Sequence, residues 1–154
     1  MDQSQLPVDF IEFIELLNSN KVRYLLLGGW AVGFYGFPRA TKDIDFLVAV
    51  DEANLTNLLS ALKGFGVPKM GKKIFKELGN VFRMGRTPIL IDIINQASGI
   101  DFETCYKRKK TMNIEGIEIT LISKNDLIKN KKASARPQDL ADVSALEKGK
   151  KRRL

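Results

Sequence analysis

The stretch PILIDIIN, residues 88–95, reads as a strand buried on both sides, yet an aspartate stands in its middle. An apolar run of this length belongs in the interior of a sheet. A lone carboxylate there is costly to desolvate, so Asp92 needs a partner, a bound metal, or an edge position facing water. Any fold this chain adopts has to resolve that conflict.

A second run, DIDFLVAV at 43–50, alternates and then turns apolar, again in the manner of a strand. Alternation sends Asp43 and Asp45 to one face while Ile44 and Phe46 point the other way. Two carboxylates so close repel unless positive charge lies between them. A divalent cation is one natural partner, because it takes hard oxygen ligands and keeps positions open for phosphates. The plainer alternative is the polar face of a half-buried strand. Were the strand of Asp92 to lie beside that of Asp43 and Asp45, three carboxylates would converge.

What is missing narrows the chemistry. The 154 residues include no histidine and one cysteine, Cys105. Ser-His-Asp and Cys-His relays, Cys and His zinc sites and an internal disulfide are therefore excluded, leaving carboxylates, lysines and metal ions. The cysteine usage points to a reducing compartment. The net charge is +7, but five basic side chains fall in the last seven residues, KGKKRRL, and without them 20 basic residues face 18 acidic ones. This distribution suggests one domain, residues 1–148, followed by a basic tail, 149–154, and gives little support to a nucleic-acid-binding face. The longest uncharged stretch, YLLLGGWAVGFYGF, has 14 residues and four glycines, short of the roughly 20 apolar residues a spanning helix needs. The opening MDQSQLPVDFIEF lacks the basic region of a signal peptide, and a cytoplasmic location is the expectation.

Periodicity outlines the elements. Val8, Phe10, Ile11, Ile14, Leu16 and Leu17 mark a first helix opened by Pro7 and ended near Asn18 to Asn20. VRYLLLG is a buried strand, and Gly28-Gly29 turns it into a short helix. After the loop 36–42 and the strand of Asp43, Asp51 caps a helix with Leu55, Leu58, Leu59 and Leu62 on one stripe, stopped by Gly64 and Gly66. VFRMG and PILIDIIN form a hairpin, residues 101–110 a basic helix, and NIEGIEIT a second hairpin about Glu115-Gly116. Ser123 and Asp126 form a capping box, and Pro137 opens a last helix with Leu140, Val143 and Leu146 inward. The expected fold is α+β: a mixed sheet with helices packed against it and two closing helices.

Two further features border the acids. Gly28 and Gly29 lie where a strand meets a helix, so backbone amides there can approach a phosphate, although a glycine pair also serves as a plain tight turn. Arg39, in the loop ahead of Asp43, is either a planar clamp for a triphosphate or an exposed side chain.

Taken together, GGWAVGFYGFPRATKDIDFLV resembles the signature of the DNA polymerase β-like nucleotidyltransferase superfamily: a Gly-Gly or Gly-Ser turn, a short helix, then Asp-x-Asp on the next strand, here with 13 residues between Gly29 and Asp43. The resemblance implies that Asp43 and Asp45 are metal ligands, that Asp92 is the third carboxylate, and that Gly28 and Gly29 hold the nucleotide phosphates. A second resemblance, to the branch containing type IV toxin nucleotidyltransferases of abortive-infection systems, rests on Lys131, Lys132 and Arg136 followed by Gln138, Asp139, Leu140, Ala141 and Asp142, with Gln138 replacing the expected lysine.

The implied reaction moves a nucleoside monophosphate from a nucleoside triphosphate, ATP among them, to a hydroxyl acceptor and releases pyrophosphate. Two Mg²⁺ (or Mn²⁺) ions roughly 3.5 to 4 Å apart would serve it, with Asp43, Asp45 and Asp92 catalytic and Arg39 and Lys132 offsetting triphosphate charge. The acceptor stays open among RNA, small molecules and protein, no membrane is involved, and a homodimer or partner protein could supply missing surface. The alternative is a catalytically inactive nucleotide-binding or toxin-antitoxin-type interaction module.

Overall fold

The aspartate-bearing apolar run does lie inside the sheet. A computed structural model describes residues 6–152, with side chains through residue 149. The element order is α1 (Val8–Ser19), β1 (Tyr24–Leu27), α2 (Gly28–Phe34), β2 (Asp43–Val48), α3 (Glu52–Phe65), α4 (Lys73–Lys76), β3 (Val81–Arg86), β4 (Ile89–Ile94), α5 (Phe102–Lys107), β5 (Lys110–Ile114), β6 (Ile117–Leu121), α6 (Lys124–Ser134) and α7 (Pro137–Arg152). The last helix thus takes in the start of the basic run. The extreme N-terminus and the side chains beyond 149, where the expectations about a leader and a tail fall, lie outside the described residues. Among the described residues no helix is long and apolar enough to cross a membrane.

Six strands stand in the order β3-β4-β2-β1-β6-β5. β2 pairs parallel with β4 and β1 parallel with β6, while the other neighbours are antiparallel, so the sheet is mixed. β4 is flanked on both sides, which explains its apolar run and leaves Asp92 only 4% exposed. β3 and β5 are the edges, and β3 shows most of its residues to solvent.

One face of β2 feeds the core and the other carries the acids. Phe46 meets Phe13 of α1 edge-on at 5.5 Å, and Phe13 meets Phe65 of α3 at 5.2 Å, so α1 and α3 cover the apolar face. The two helices come close at Gly64, where an added Cβ would lie 2.9 Å from Leu16 Cδ2. α3 starts as expected, with the Asp51 side chain accepting from the Asn54 amide at 2.9 Å, and ends at Gly66 in the left-handed conformation, φ 100°.

Three local expectations shift, each for a packing reason. α1 buries Phe10, Phe13, Ile14 and Leu17, a strict one-face set, so Val8 falls on the outer side and is exposed. The helix expected over 101–110 ends at Lys107, because the second hairpin runs five pairs and claims Lys110 opposite Leu121. α7 turns Asp139, Asp142, Val143 and Leu146 inward and leaves Leu140 half exposed, since its inward face meets a buried lysine described below.

Asn54 shows how the frame behind the site is tied. Buried at the start of α3, it accepts from the Arg23 amide at 2.7 Å and donates to the carbonyls of Arg23 and Ala49 at 3.1 and 2.8 Å. It therefore joins α3 to the approach to β1 and the exit of β2. Asn54→Ala strands these groups and should lower unfolding stability by about 2 to 3 kcal/mol. A urea titration that shifts the midpoint at unchanged slope is the expected result.

Candidate active site

The parallel pairing of β2 with β4 places Asp45 directly beside Asp92, with Asp43 one pleat away on the same face. Asp43, Asp45 and Asp92 each present a carboxylate oxygen within 4.8 Å of the others. The convergence that the two sequence runs allowed is thus realised in the fold.

Glycines make room for it. A Cβ on Gly28 would lie 2.2 Å from Asp45 Oδ2, and Gly28 adopts φ 77°, a conformation that side chains resist. Gly29 has an ordinary φ, but its Cβ would press on Thr41 Oγ1 at 3.0 Å and Arg39 Nη1 at 3.2 Å. Gly28 is therefore required by the close approach of Asp45, while Gly29 sits in tight contact with side chains of the preceding loop. Thr41 also donates to Asp43, at 3.3 Å to its carbonyl and 3.4 Å to its carboxylate.

Crowding of the acids is visible in their protonation. Burial, then repulsion from Asp43 and Asp92, pushes the Asp45 carboxyl up to about 7, against the pull of Lys131 and Arg83. Burial and its contact with Asp92 also raise Asp43. Asp92 moves the other way: burial opposes ionisation, but Arg83 hydrogen bonds hold it below the usual carboxylate range. The donor set is three hard oxygens with surplus negative charge, which fits Mg²⁺ or Mn²⁺.

Arg83 was not among the residues expected here. Its Nε and Nη2 donate to the two oxygens of Asp92 at 2.7 and 2.8 Å, and Nη2 also reaches Asp43 Oδ2 at 3.4 Å. Register supplies the contact, since Arg83 is the cross-strand partner of Asp92 in the β3–β4 hairpin. A connection at Arg86 and Thr87, which the residues suggest, would set Arg83 opposite Leu90; the observed connection is Thr87 and Pro88, and counting back from it reaches Asp92.

Across the cleft, the closing helices contribute a buried ion cluster. Lys131 is 4% exposed and pairs with Asp142 at 2.9 Å and Asp139 at 3.3 Å. Arg39 forks onto both oxygens of Asp142 at 2.8 and 2.9 Å, and Gln138 donates to Asp142 at 3.1 Å. Asp139 also accepts from the backbone and side chain of Arg136. Lys132 is not brought to this place. One residue turns a helix by about 100°, and Lys132 points outward to Glu147 at 2.8 Å. Gly28, Gly29, Arg39, Asp43, Asp45, Asp92 and Lys131 line one cleft of about 780 Å³, and Lys132 does not.

A family relationship matches this geometry. Residues 8–148 match the model of a family described as "nucleotidyltransferase of unknown function (DUF6036)", and the chain belongs to that family. No curated protein matches the sequence. Among solved structures, lincosamide antibiotic adenylyltransferase LnuA, lincomycin-bound, is 18% identical with a TM-score of 0.61, covering 92% of this chain and 96% of its own. A candidate nucleotidyltransferase from Thermotoga maritima (TM1012) is 17% identical, with a TM-score of 0.60 over 90% of this chain and 88% of its own. ANT(2'')-Ia in complex with adenylyl-2''-tobramycin is 13% identical, with a TM-score of 0.56 over 89% and 84%. These likenesses share the fold, and they agree with the nucleotidyltransferase resemblance carried by the glycine turn and the Asp-x-Asp strand.

Two outcomes follow from the packing. Gly28→Ala should cost at least about 1 kcal/mol from backbone conformation alone and more from displacing Asp45, whereas Gly29→Ala should cost less because side-chain ends can yield. Thermal melts of the two variants should rank in that order. Asp139, for its part, is buried, which opposes its charge, yet Arg136 and Lys131 hold it down to about 2. Its folded value lies below the unfolded one, so its stabilisation is complete above about pH 4 and is lost as pH falls toward 2, on the order of 2 kcal/mol. Urea midpoints measured across that window should fall less steeply in Asp139→Asn than in the parent chain.

Proposed function

We propose that the chain is a metal-dependent nucleotidyltransferase that moves a nucleoside monophosphate from a nucleoside triphosphate to a hydroxyl acceptor. The observation that carries this reading is the register of β2 against β4, which sets Asp45 beside Asp92 and gathers three carboxylates at the foot of a glycine turn. Family membership supports it independently.

Asp43, Asp45 and Asp92 are the residues to hold Mg²⁺ or Mn²⁺, and a divalent ion bound there would neutralise charge on the triphosphate and acidify the acceptor hydroxyl. The chain's own task is alignment and electrostatics. The Gly28–Gly29 turn lets the triphosphate approach the backbone. Arg39 and Lys131, rather than Lys132, put positive charge on the phosphate side of the cleft. The acceptor oxygen bonds to the α-phosphorus as the bond to pyrophosphate breaks and the hydroxyl proton passes to solvent water, with Asp92 on the acceptor side.

LnuA carries lincomycin and ANT(2'')-Ia an adenylylated tobramycin, and LnuA is matched over 96% of its length, so a chain of this size is large enough for a small hydroxylated acceptor. Small polyols and antibiotics therefore belong in the assay with RNA and protein acceptors.

The decisive assay incubates the protein with each α-labelled triphosphate, Mg²⁺ or Mn²⁺ and those acceptors. Label should transfer in the parent chain, cease with a chelator, and fall ~100-fold or more in Asp45→Asn. The substitution relieves repulsion, so the fold should keep or gain stability. Equal transfer by variant and parent would end the catalytic reading.

A further inference from the structure

We propose that Arg83 is a built-in cation of this site, standing on the Asp92 side of the triad where a second divalent ion would otherwise bind, so that the chain takes one ion on Asp43 and Asp45. The inference rests on the nucleotidyl-transfer reading and narrows its ligand set: one ion held by Asp43 and Asp45, with Asp92 engaged by Arg83 instead of by an ion.

Occupancy of the ligand atoms is the first ground. Asp92 is buried, and both its oxygens receive hydrogen bonds from one guanidinium at 2.7 and 2.8 Å. Charge-assisted forks of this kind are the strong ones among protein hydrogen bonds. The same Nη2 reaches toward Asp43 Oδ2 at 3.4 Å, so the guanidinium spans the gap that an ion shared by Asp92 and Asp43 would need. No cationic side chain among the described residues pairs with Asp45. The open coordinating position is thus at Asp45 and the near side of Asp43.

Placement is the second ground. Arg83 is not a loop residue that happens to fall inward. It faces Asp92 in a six-pair antiparallel ladder, and its side chain leaves the sheet on the acid face because its partner's does. Arginine keeps its proton under all ordinary conditions and has a rigid planar fork, so its charge is as permanent as the backbone that places it.

Charge is the third ground. Lys131 is already taken up by Asp139 and Asp142, and Arg39 by Asp142. The three acids of the triad therefore have Arg83 as their one directly paired protein cation among the described residues. A single divalent ion then brings the triad with Arg83 to neutrality, and the triphosphate arrives with its charge facing the bound ion. A second divalent ion would have to evict the guanidinium from both oxygens of Asp92.

The test counts ions rather than turnovers. Parent protein is titrated with Mn²⁺ in the presence of a non-hydrolysable α,β-methylene triphosphate, with bound Mn²⁺ counted by equilibrium dialysis and its electron paramagnetic resonance spectrum recorded. One Mn²⁺ per chain with an uncoupled spectrum is expected. Arg83→Ala should then take up a second ion and show the spin coupling of two neighbouring Mn²⁺, while Arg83→Lys, which keeps a cation there, should stay at one. Two coupled ions in the parent would overturn the proposal and leave metal-dependent transfer standing. So would a folded Arg83→Ala that still binds one. No bound Mn²⁺ in the parent would bring down the nucleotidyl-transfer reading itself, and the proposal with it. The parent count decides even if Arg83→Ala fails to fold.

Discussion

The parallel contact between β2 and β4 is the interaction on which the rest of the molecule turns, because it forces negative charges together where water is scarce. Asp45 beside Asp92, with Asp43 one pleat along, is an arrangement a stable fold avoids unless something offsets it. The offsets come from three directions. Arg83 supplies charge from the neighbouring edge strand, Gly28 supplies space at the strand end, and the packed aromatic face behind Phe46 keeps the sheet from relaxing. Burial, and then repulsion from Asp43 and Asp92, still raises the Asp45 carboxyl.

The ion cluster of the closing helices has a different character. Lys131, Asp139, Asp142 and Arg39 are fully engaged with one another, and buried ion pairs of this kind add little net stability over an apolar equivalent. What they provide is position. α7 is held to α6 through Lys131 and to the loop ahead of β2 through Arg39, so the wall of the cleft and the floor that bears the acids are joined by directional contacts. Val143 and Leu146 supply the apolar part of the same contact face.

Much of this was legible in the residues. Period-two alternation put Asp43 and Asp45 on one face, an acid within an apolar run singled out Asp92, and glycine turns, caps and Pro137 marked most element ends. What escaped depended on partners distant in the chain or on fine rotation. Arg83 acquires meaning only once the hairpin register is known, for an arginine on an edge strand is otherwise an ordinary exposed residue. Lys131 and Lys132 are chemically alike, and only the phase of α6 decides which one faces the cleft. Leu140 was expected inward by hydrophobicity, but the two aspartates that satisfy Lys131 rotate α7 away from that choice. The end of α5 likewise yielded to strand pairing, since a hairpin ladder outweighs weak local helix preference at Lys110.

The rotational phase of α7 has a consequence for how such chains can diverge. Asp139 and Asp142 reach Lys131 and Arg39 from successive turns of a single helix that begins at Pro137. Inserting or deleting one residue between Pro137 and Asp142 swings the distal carboxylate by about 100° and leaves Arg39 unanswered, although no residue of the triad has changed. Length variation should therefore be rare in that short span and freer in the turn after α3, residues 67–71, ahead of the part of that connection tied to Asn95 through Phe75, Glu77 and Gly79.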